Sequence, residues 1–161
     1  MNKKIVTLLI ALSVLLGSIA TLAQSEDPFI GSWDIDLTRS DFGSAISPKN
    51  MSRSYTDLGN GSYAYQVVRL NPDDTLSLTS AIYSFDGAQY PIVSLDELPE
   101  PALISYRKIN DTTVEYTVRV GGKVSQIGSK FISPNYQQLS ISIQFPDSDQ
   151  ENQVLIFNRR R

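Results

Sequence analysis

Two residue types are missing from this 161-residue chain: it has no cysteine and no histidine. Without cysteine there are no disulfides, no thiolate zinc sites and no thiol catalysis, so stability must come from packing alone. Without histidine the chain lacks the usual general base near neutral pH and the commonest metal ligand. Neither a Ser-His-Asp nor a Cys-His arrangement can be assembled from it. Helical periodicity is also scarce; the one stretch that reads as a short helical turn is Ser40 to Ile46.

At the N-terminus, Lys3 and Lys4 precede an uncharged apolar run from Ile5 to Leu16, which Gly17 and Ser18 end before a series of small residues. This is the order of a secretory signal peptide. Cleavage after Ala23 fits better than cleavage after Ala20, because the polar segment Gln24-Ser25-Glu26-Asp27 begins there. Residues 1–23 are therefore read as a signal peptide and 24–161 as a single domain. The competing reading is a membrane anchor, since Ile5 to Ala23 carries no charge. Its apolar core is short and its last third is only weakly hydrophobic. With no cysteine at the cleavage point, lipid anchoring is excluded. The expectation is a secreted or periplasmic protein with no stable membrane insertion after cleavage.

The formal net charge is −3. Cleavage takes Lys3 and Lys4 and no acid, leaving 12 Lys and Arg against 17 Asp and Glu, a net charge of −5. Such a domain repels nucleic acid and anionic membrane. The terminal Arg159-Arg160-Arg161 is a local exception and reads as a solvated chain end.

Beyond residue 30, turn signals recur about every ten residues. They include Asn60-Gly61, Asn71-Pro72-Asp73-Asp74, Asp86-Gly87, Asn110-Asp111, Gly121-Gly122, Ser133-Pro134-Asn135 and Pro146-Asp147-Ser148-Asp149. The runs between them are rich in Val, Ile, Thr and Tyr and have a period of two. Leu139, Ile141, Ile143 and Phe145 alternate with polar residues, as do Val114, Tyr116, Val118 and Val120. Leu76, Leu78, Ser80 and Ile82 likewise share one face. Strict alternation gives each strand one buried and one solvated face. Strands are expected near 31–37, 51–58, 62–70, 75–84, 88–93, 102–109, 112–120, 123–132, 137–145 and 152–159. Leu95 to Pro101 reads as a loop interrupting the meander. An antiparallel meander of about eight to ten strands removes its exposed edges by closing into a barrel, an all-β fold. A barrel of that size holds one small ligand or is filled by its own side chains.

The segment Phe29-Ile30-Gly31-Ser32-Trp33-Asp34-Ile35-Asp36 places Gly-x-Trp on the first strand. This resembles the opening of the lipocalin and fatty-acid-binding (calycin) barrels. Continuing through Ser40-Asp41-Phe42, and again at Tyr83-Ser84-Phe85-Asp86-Gly87-Ala88-Gln89-Tyr90-Pro91, the chain is similar to uncharacterised secreted bacterial lipocalin-like proteins. The Thr-Asp-Tyr motif typical of lipocalins is missing. The resemblance implies a lipocalin-like or fatty-acid-binding-like barrel and binding of an apolar ligand. It also implies an arginine near the last strand packing over Trp33, a place that Arg159, Arg160 and Arg161 are equally able to fill.

The candidate ligand-binding residues are Trp33, Tyr63, Tyr65, Tyr83, Tyr106 and Tyr116. Tyrosine pairs an apolar ring with a hydroxyl, which suits an amphipathic ligand. The structural alternatives are a barrel-closing plug for Trp33 and core filling for the tyrosines. Arg69, Arg107, Lys108 and Arg119 lie on strands, where an inward-facing cation receives a carboxylate and an outward-facing one is simply solvated. Asp34 and Asp36 share a strand face. Paired acids of this kind serve carboxylate-based hydrolysis only if they enter a cleft. Asp147, Asp149 and Glu151 are spaced like calcium ligands but lack the glycine of the helix-loop-helix site.

Three functions remain. The first is an exported barrel binding a small apolar or amphipathic ligand, with no cofactor and no metal. The second is a filled barrel acting as an envelope structural or protein-interaction domain. The third is a carboxylate-based hydrolase. Interior side-chain size separates the first two, and the direction of Asp34 decides the third.

Overall fold

The computed structural model describes residues 27–96 and 100–161. The expected signal peptide and its cleavage point at Ala23 lie outside the described residues.

Eleven strands follow in chain order: β1 (Gly31–Ile35), β2 (Asn50–Gly59), β3 (Ser62–Leu70), β4 (Leu76–Tyr83), β5 (Tyr90–Pro91), β6 (Val93–Ser94), β7 (Ala102–Asn110), β8 (Thr113–Val120), β9 (Lys123–Ile132), β10 (Gln138–Gln144) and β11 (Gln153–Arg159). They form one antiparallel sheet in the order β5-β7-β8-β9-β10-β11-β1-β2-β3-β4-β6. β1 pairs with β11, so first and last strands meet and the meander curls into a nearly closed all-β barrel. The seam lies where β4 carries β6 and β7 carries β5.

The sheet departs from the sequence reading in three places. The stretch expected as one strand at 88–93 is two strands of two residues each. Pro91, which has no N–H to give a ladder, ends β5, and β6 then pairs with the opposite side of the seam. The helical turn expected at 40–46 is not helical: Asp41 bridges Val154 and a tight turn brings the Ala45 N–H to the Phe42 carbonyl at 3.0 Å. The third departure is β4, whose apolar face points outward, with Leu76 64% and Ile82 62% exposed. The register explains it. Cross-strand partners share a face, and the inward row of β3 (Tyr63, Tyr65, Val67, Arg69) faces Tyr83, Ala81, Thr79 and Ser77. Those residues therefore point inward, and the leucines are left outside.

One half of the interior is solid. Trp33 and Phe157 are fully buried there, with Phe29, Ile132, Leu139 and Val114 packed around them. The Trp33 Nε1–H donates to the Phe29 carbonyl at 3.0 Å. The guanidinium of Arg159 lies 4.1 Å from the centre of the Trp33 ring, so among the three terminal arginines Arg159 is the one over the tryptophan. Its N–H groups also donate to the carbonyls of Ile30 at 2.8 Å, Tyr136 at 2.7 Å and Pro28. Gly31 makes this approach possible. Its φ is +124°, and a Cβ there would sit 2.9 Å from the Arg159 guanidinium. The Gly-x-Trp pattern thus joins an unusual backbone conformation, a buried ring and its capping cation.

Candidate functional site

Above the tryptophan the inward rows change character and a cavity of about 390 Å³ opens. It lies toward the β3–β4 and β8–β9 turns. Its walls are mixed: aliphatic side chains such as Val67, Ile104, Val118, Ile143 and Leu155 alternate with polar ones, including Ser77 and Thr79 of the inverted β4 and Ser94, Ser125, Gln126 and Gln153. That volume falls within the range of small-molecule sites. A second depression, of about 560 Å³, lies around Thr56, Gln66, Ser80 and Ile82 on the outer row of β2, β3 and β4.

Among the described residues three cations line the cavity, Arg53, Arg69 and Lys130, against one acid, Asp96, which is exposed. Lys130 is the central one. Only 3% of it is exposed, and its Nζ donates to the Tyr106 hydroxyl at 2.8 Å. Four rings surround that nitrogen, with centres at 4.4 Å (Tyr106), 4.7 Å (Tyr55), 5.4 Å (Tyr65) and 5.5 Å (Tyr116). Each contributes a cation–π attraction of roughly 1–2 kcal/mol in a desolvated setting, which offsets part of the cost of burying the charge. Among the described residues no carboxylate forms an ion pair with Lys130. Burial therefore pulls its pKa down to about 8, with nearby Arg53 pushing the same way and Tyr55 opposing.

Arg53 sits two residues from Tyr55 on β2 and lies 5.5 Å from the centre of the Phe157 ring. The buried Tyr55 hydroxyl lies between Lys130 and Arg53, and the Arg53 Nε and the Arg69 Nε are buried without a hydrogen-bond partner. Such atoms are rare in folded proteins and costly to leave unmatched. Burial raises the Tyr55 hydroxyl, but the combined charges of Lys130 and Arg53 outweigh it and draw its pKa below the ordinary phenol value. The neighbouring phenols move the other way: burial pushes Tyr65 up to about 12 and raises Tyr106 and Tyr116 as well. Tyr116 reaches across β9 because Gly128 leaves room; a Cβ there would lie 2.7 Å from its hydroxyl oxygen. That hydroxyl donates to the Ser142 carbonyl at 3.3 Å.

The six candidate residues divide between the two halves. Tyr65, Tyr106 and Tyr116 border the cavity. Trp33, Tyr63 and Tyr83 lie in the solid half, where Tyr63 stacks on Tyr83 at 5.9 Å and packs on Phe85 at 4.9 Å. Of the candidate cations, only Arg69 lines the cavity; its Nη2 donates to the Ile46 carbonyl at 3.3 Å. Arg107 is exposed and pairs with Glu115, while Lys108 pairs with Asp27 at 3.1 Å and Asp111 at 3.4 Å. Arg119 is on the row of β8 opposite Val118 and Val120.

Asp34 points outward and pairs with Arg160, whose hydrogen bond lowers the Asp34 pKa. Asp36 accepts from Thr38 and Arg39 in the turn after β1, which holds its carboxyl well below the usual range. Neither acid enters the cavity, so the hydrolase built on this pair is not supported. Among the described residues, Asp147, Asp149 and Glu151 do not form a metal-binding cluster.

Arg53 and Lys130 were missed by the sequence reading. Arg53 had a signal, since it lies on the same row as Met51 and Tyr55. Lys130 had none: it lies beside Phe131, which is 45% exposed, so the charged residue and not the aromatic one faces inward.

No protein family matches the chain and no curated protein matches it in sequence. Solved structures match it in shape. The wild-type fluorescent protein UnaG superposes with a TM-score of 0.57 at 15% identity, over 82% of this chain and 97% of that one. As-p18, an extracellular fatty acid binding protein, gives 0.56 at 8% identity, over 83% and 97%. The amine binding protein of Rhodnius prolixus, in its tryptamine complex, gives 0.51 at 13% identity, over 84% of this chain and 65% of that one. At these identities the likeness shows the fold alone: the chain is an antiparallel β-barrel of the fatty-acid-binding and lipocalin-like kind.

Proposed function

We propose that this chain is an exported binding protein, residues 24–161 forming one barrel that holds a single small amphipathic molecule. The apolar body occupies the cavity, and an anionic head rests at Arg53 and Lys130. Trp33 and the solid half keep the barrel shut; Tyr65, Tyr106 and Tyr116 contact the ligand. The observation that carries this reading is the buried Arg53 Nε, which lacks a hydrogen-bond acceptor, beside a buried ammonium in a 390 Å³ cavity. A carboxylate or similar anion supplies the acceptor that the guanidinium lacks. The shape matches include proteins described as binding a fatty acid and an amine. Three cations against one exposed acid favour the anionic class. Export rests on the Lys3-Lys4 charge, the apolar run and the small residues up to Ala23. The second reading, a protein-interaction barrel, draws on the exposed apolar residues Leu76, Ile82, Val93 and Leu95.

Native mass spectrometry of protein purified from its own host tests the reading. The expected result is a chain starting at Gln24 with one acidic small molecule bound. A cationic ligand overturns it. So does an empty barrel whose melting temperature shifts with no member of a lipid and metabolite panel.

A further inference from the structure

We infer that Lys130 is a carbonyl-capturing amine, forming an imine with an apolar aldehyde seated in the barrel cavity. The inference rests on the cavity being a small-molecule site, but not on the charge of the ligand it holds.

Among the described residues, Lys130 is the one lysine lining the cavity. Lys49 and Lys108 are held by carboxylates elsewhere, at 2.5 Å from Asp74 and 3.1 Å from Asp27, and Lys123 is exposed at the start of β9. The groups facing the Lys130 nitrogen are Arg53 and Tyr55 from β2, Tyr65 from β3, Tyr106 from β7 and Tyr116 from β8. None is a carboxylate; the positive charge of Arg53 opposes the ammonium, and Tyr55 favours it. With its pKa pulled down to about 8, roughly a tenth of the amine is neutral at pH 7, against about one part in a few thousand for a solvated lysine. A desolvated lysine of this kind is the usual source of Schiff-base chemistry.

The surroundings suit the electrophile as well. Arg53, whose buried Nε lacks an acceptor, is a donor able to polarise a carbonyl oxygen at the cavity floor. The neutral nitrogen attacks the carbonyl carbon and a C–N bond forms. Both amine hydrogens leave with the carbonyl oxygen as one water molecule, and the C–O bond is replaced by C=N. No oxidant or reductant is needed. The imine removes a charge that is costly where it sits, on a nitrogen enclosed by four aromatic rings. Tyr106, bonded to the nitrogen at 2.8 Å, is a positioning residue.

The test uses the mature chain with decanal and cyanoborohydride, followed by intact-mass measurement and peptide mapping. Decanol serves as a non-covalent control in calorimetry. The expected result is one reduced adduct per chain, at least tenfold enriched at Lys130 over Lys49, Lys108 and Lys123, and suppressed by excess decanol. Lys130→Met abolishes that adduct, and the wild-type map is decisive whether or not the variant folds. Adducts spread over the surface lysines with Lys130 unmodified overturn the inference. If decanol binds in that case, the cavity reading stands; if decanol does not bind either, the cavity reading falls with it.

Discussion

From the Trp33 end of the barrel to the Arg69 end, the same strands pass from a packed interior to an open one. Along β2 the inward row runs from Tyr55 to Arg53 and Met51; along β3 it runs from Tyr63 and Tyr65 to Val67 and Arg69. At the first end the rows meet as rings: Tyr83 lies 4.1 Å from Tyr106, and Tyr63, Phe85 and Tyr65 pack around them. At the other end they meet as small or aliphatic side chains, Thr79, Ala102, Val118 and Val120, which do not fill the axis. Lys130 stands at the boundary, with four aromatic rings around it while also lining the cavity. A single strand architecture therefore separates two tasks. Burial concentrated at one end leaves the other end free to carry polar and charged groups that add little to stability.

The comparison predicts unequal sensitivities. The largest is Trp33→Ala, which removes a fully buried ring and strands the Arg159 guanidinium above it. Denaturant unfolding should show a loss of about 3–5 kcal/mol, with ligand affinity of the remaining folded protein unchanged. A loss under 1 kcal/mol would mean that the solid half is not the stabilising half.

Lys130→Met should behave in the opposite way. An unpaired buried charge is replaced by an apolar chain of similar length, so stability should hold or rise by about 1 kcal/mol, while affinity for an anionic ligand falls at least tenfold. Stability falling with affinity intact would break the division of labour.

The pH dependence of the ligand-free protein is a subtler test. Lys130 holds its proton less tightly folded than unfolded, since its pKa is pulled down to about 8. Below that value it is charged in both states and the burial penalty is complete. Between pH 8 and its ordinary unfolded value, the unfolded chain keeps a proton that the folded chain has shed, so stability rises with pH. The raised phenols, Tyr65 at about 12 and Tyr83, Tyr106 and Tyr116 raised further, act oppositely once unfolded tyrosines begin to ionise near pH 10. Wild type should therefore gain stability between pH 8 and about 10, and Lys130→Met should lose that rise. The smallest effect is expected at Thr79→Val, on the cavity wall, where thermal unfolding should move by less than about 1 kcal/mol.

Much of the barrel was legible because its signals are local. Turn residues such as Asn60-Gly61 and Gly121-Gly122 fall between paired strands, and the alternation along β8 and β10 put Tyr116 and Ile141 inside as expected. Alternation, however, names two faces without saying which is inward. On β4 that choice is made by its register with β3, which turned Ser77 and Thr79 in and Leu76 and Ile82 out. The same limit applies on β9, where Lys130 faces inward and its neighbour Phe131 is 45% exposed. Resemblance placed an arginine over Trp33, but choosing among Arg159, Arg160 and Arg161 needed the pairing of Trp33 with Arg159 across β1 and β11. Site residues were the least legible. A cavity is where packing fails to complete, and the rows that leave it open come from strands distant in sequence.

The most direct test of the central claim is calorimetry on the mature chain with three ligands sharing one alkyl chain: a carboxylate, an alcohol and an amine. The account predicts one carboxylate bound per barrel, at least tenfold tighter than the alcohol, with no detectable binding of the amine. The carboxylate's advantage should shrink above pH 8 as Lys130 loses its proton. Equal affinity for all three, or preference for the amine, would contradict a cationic floor that selects the ligand.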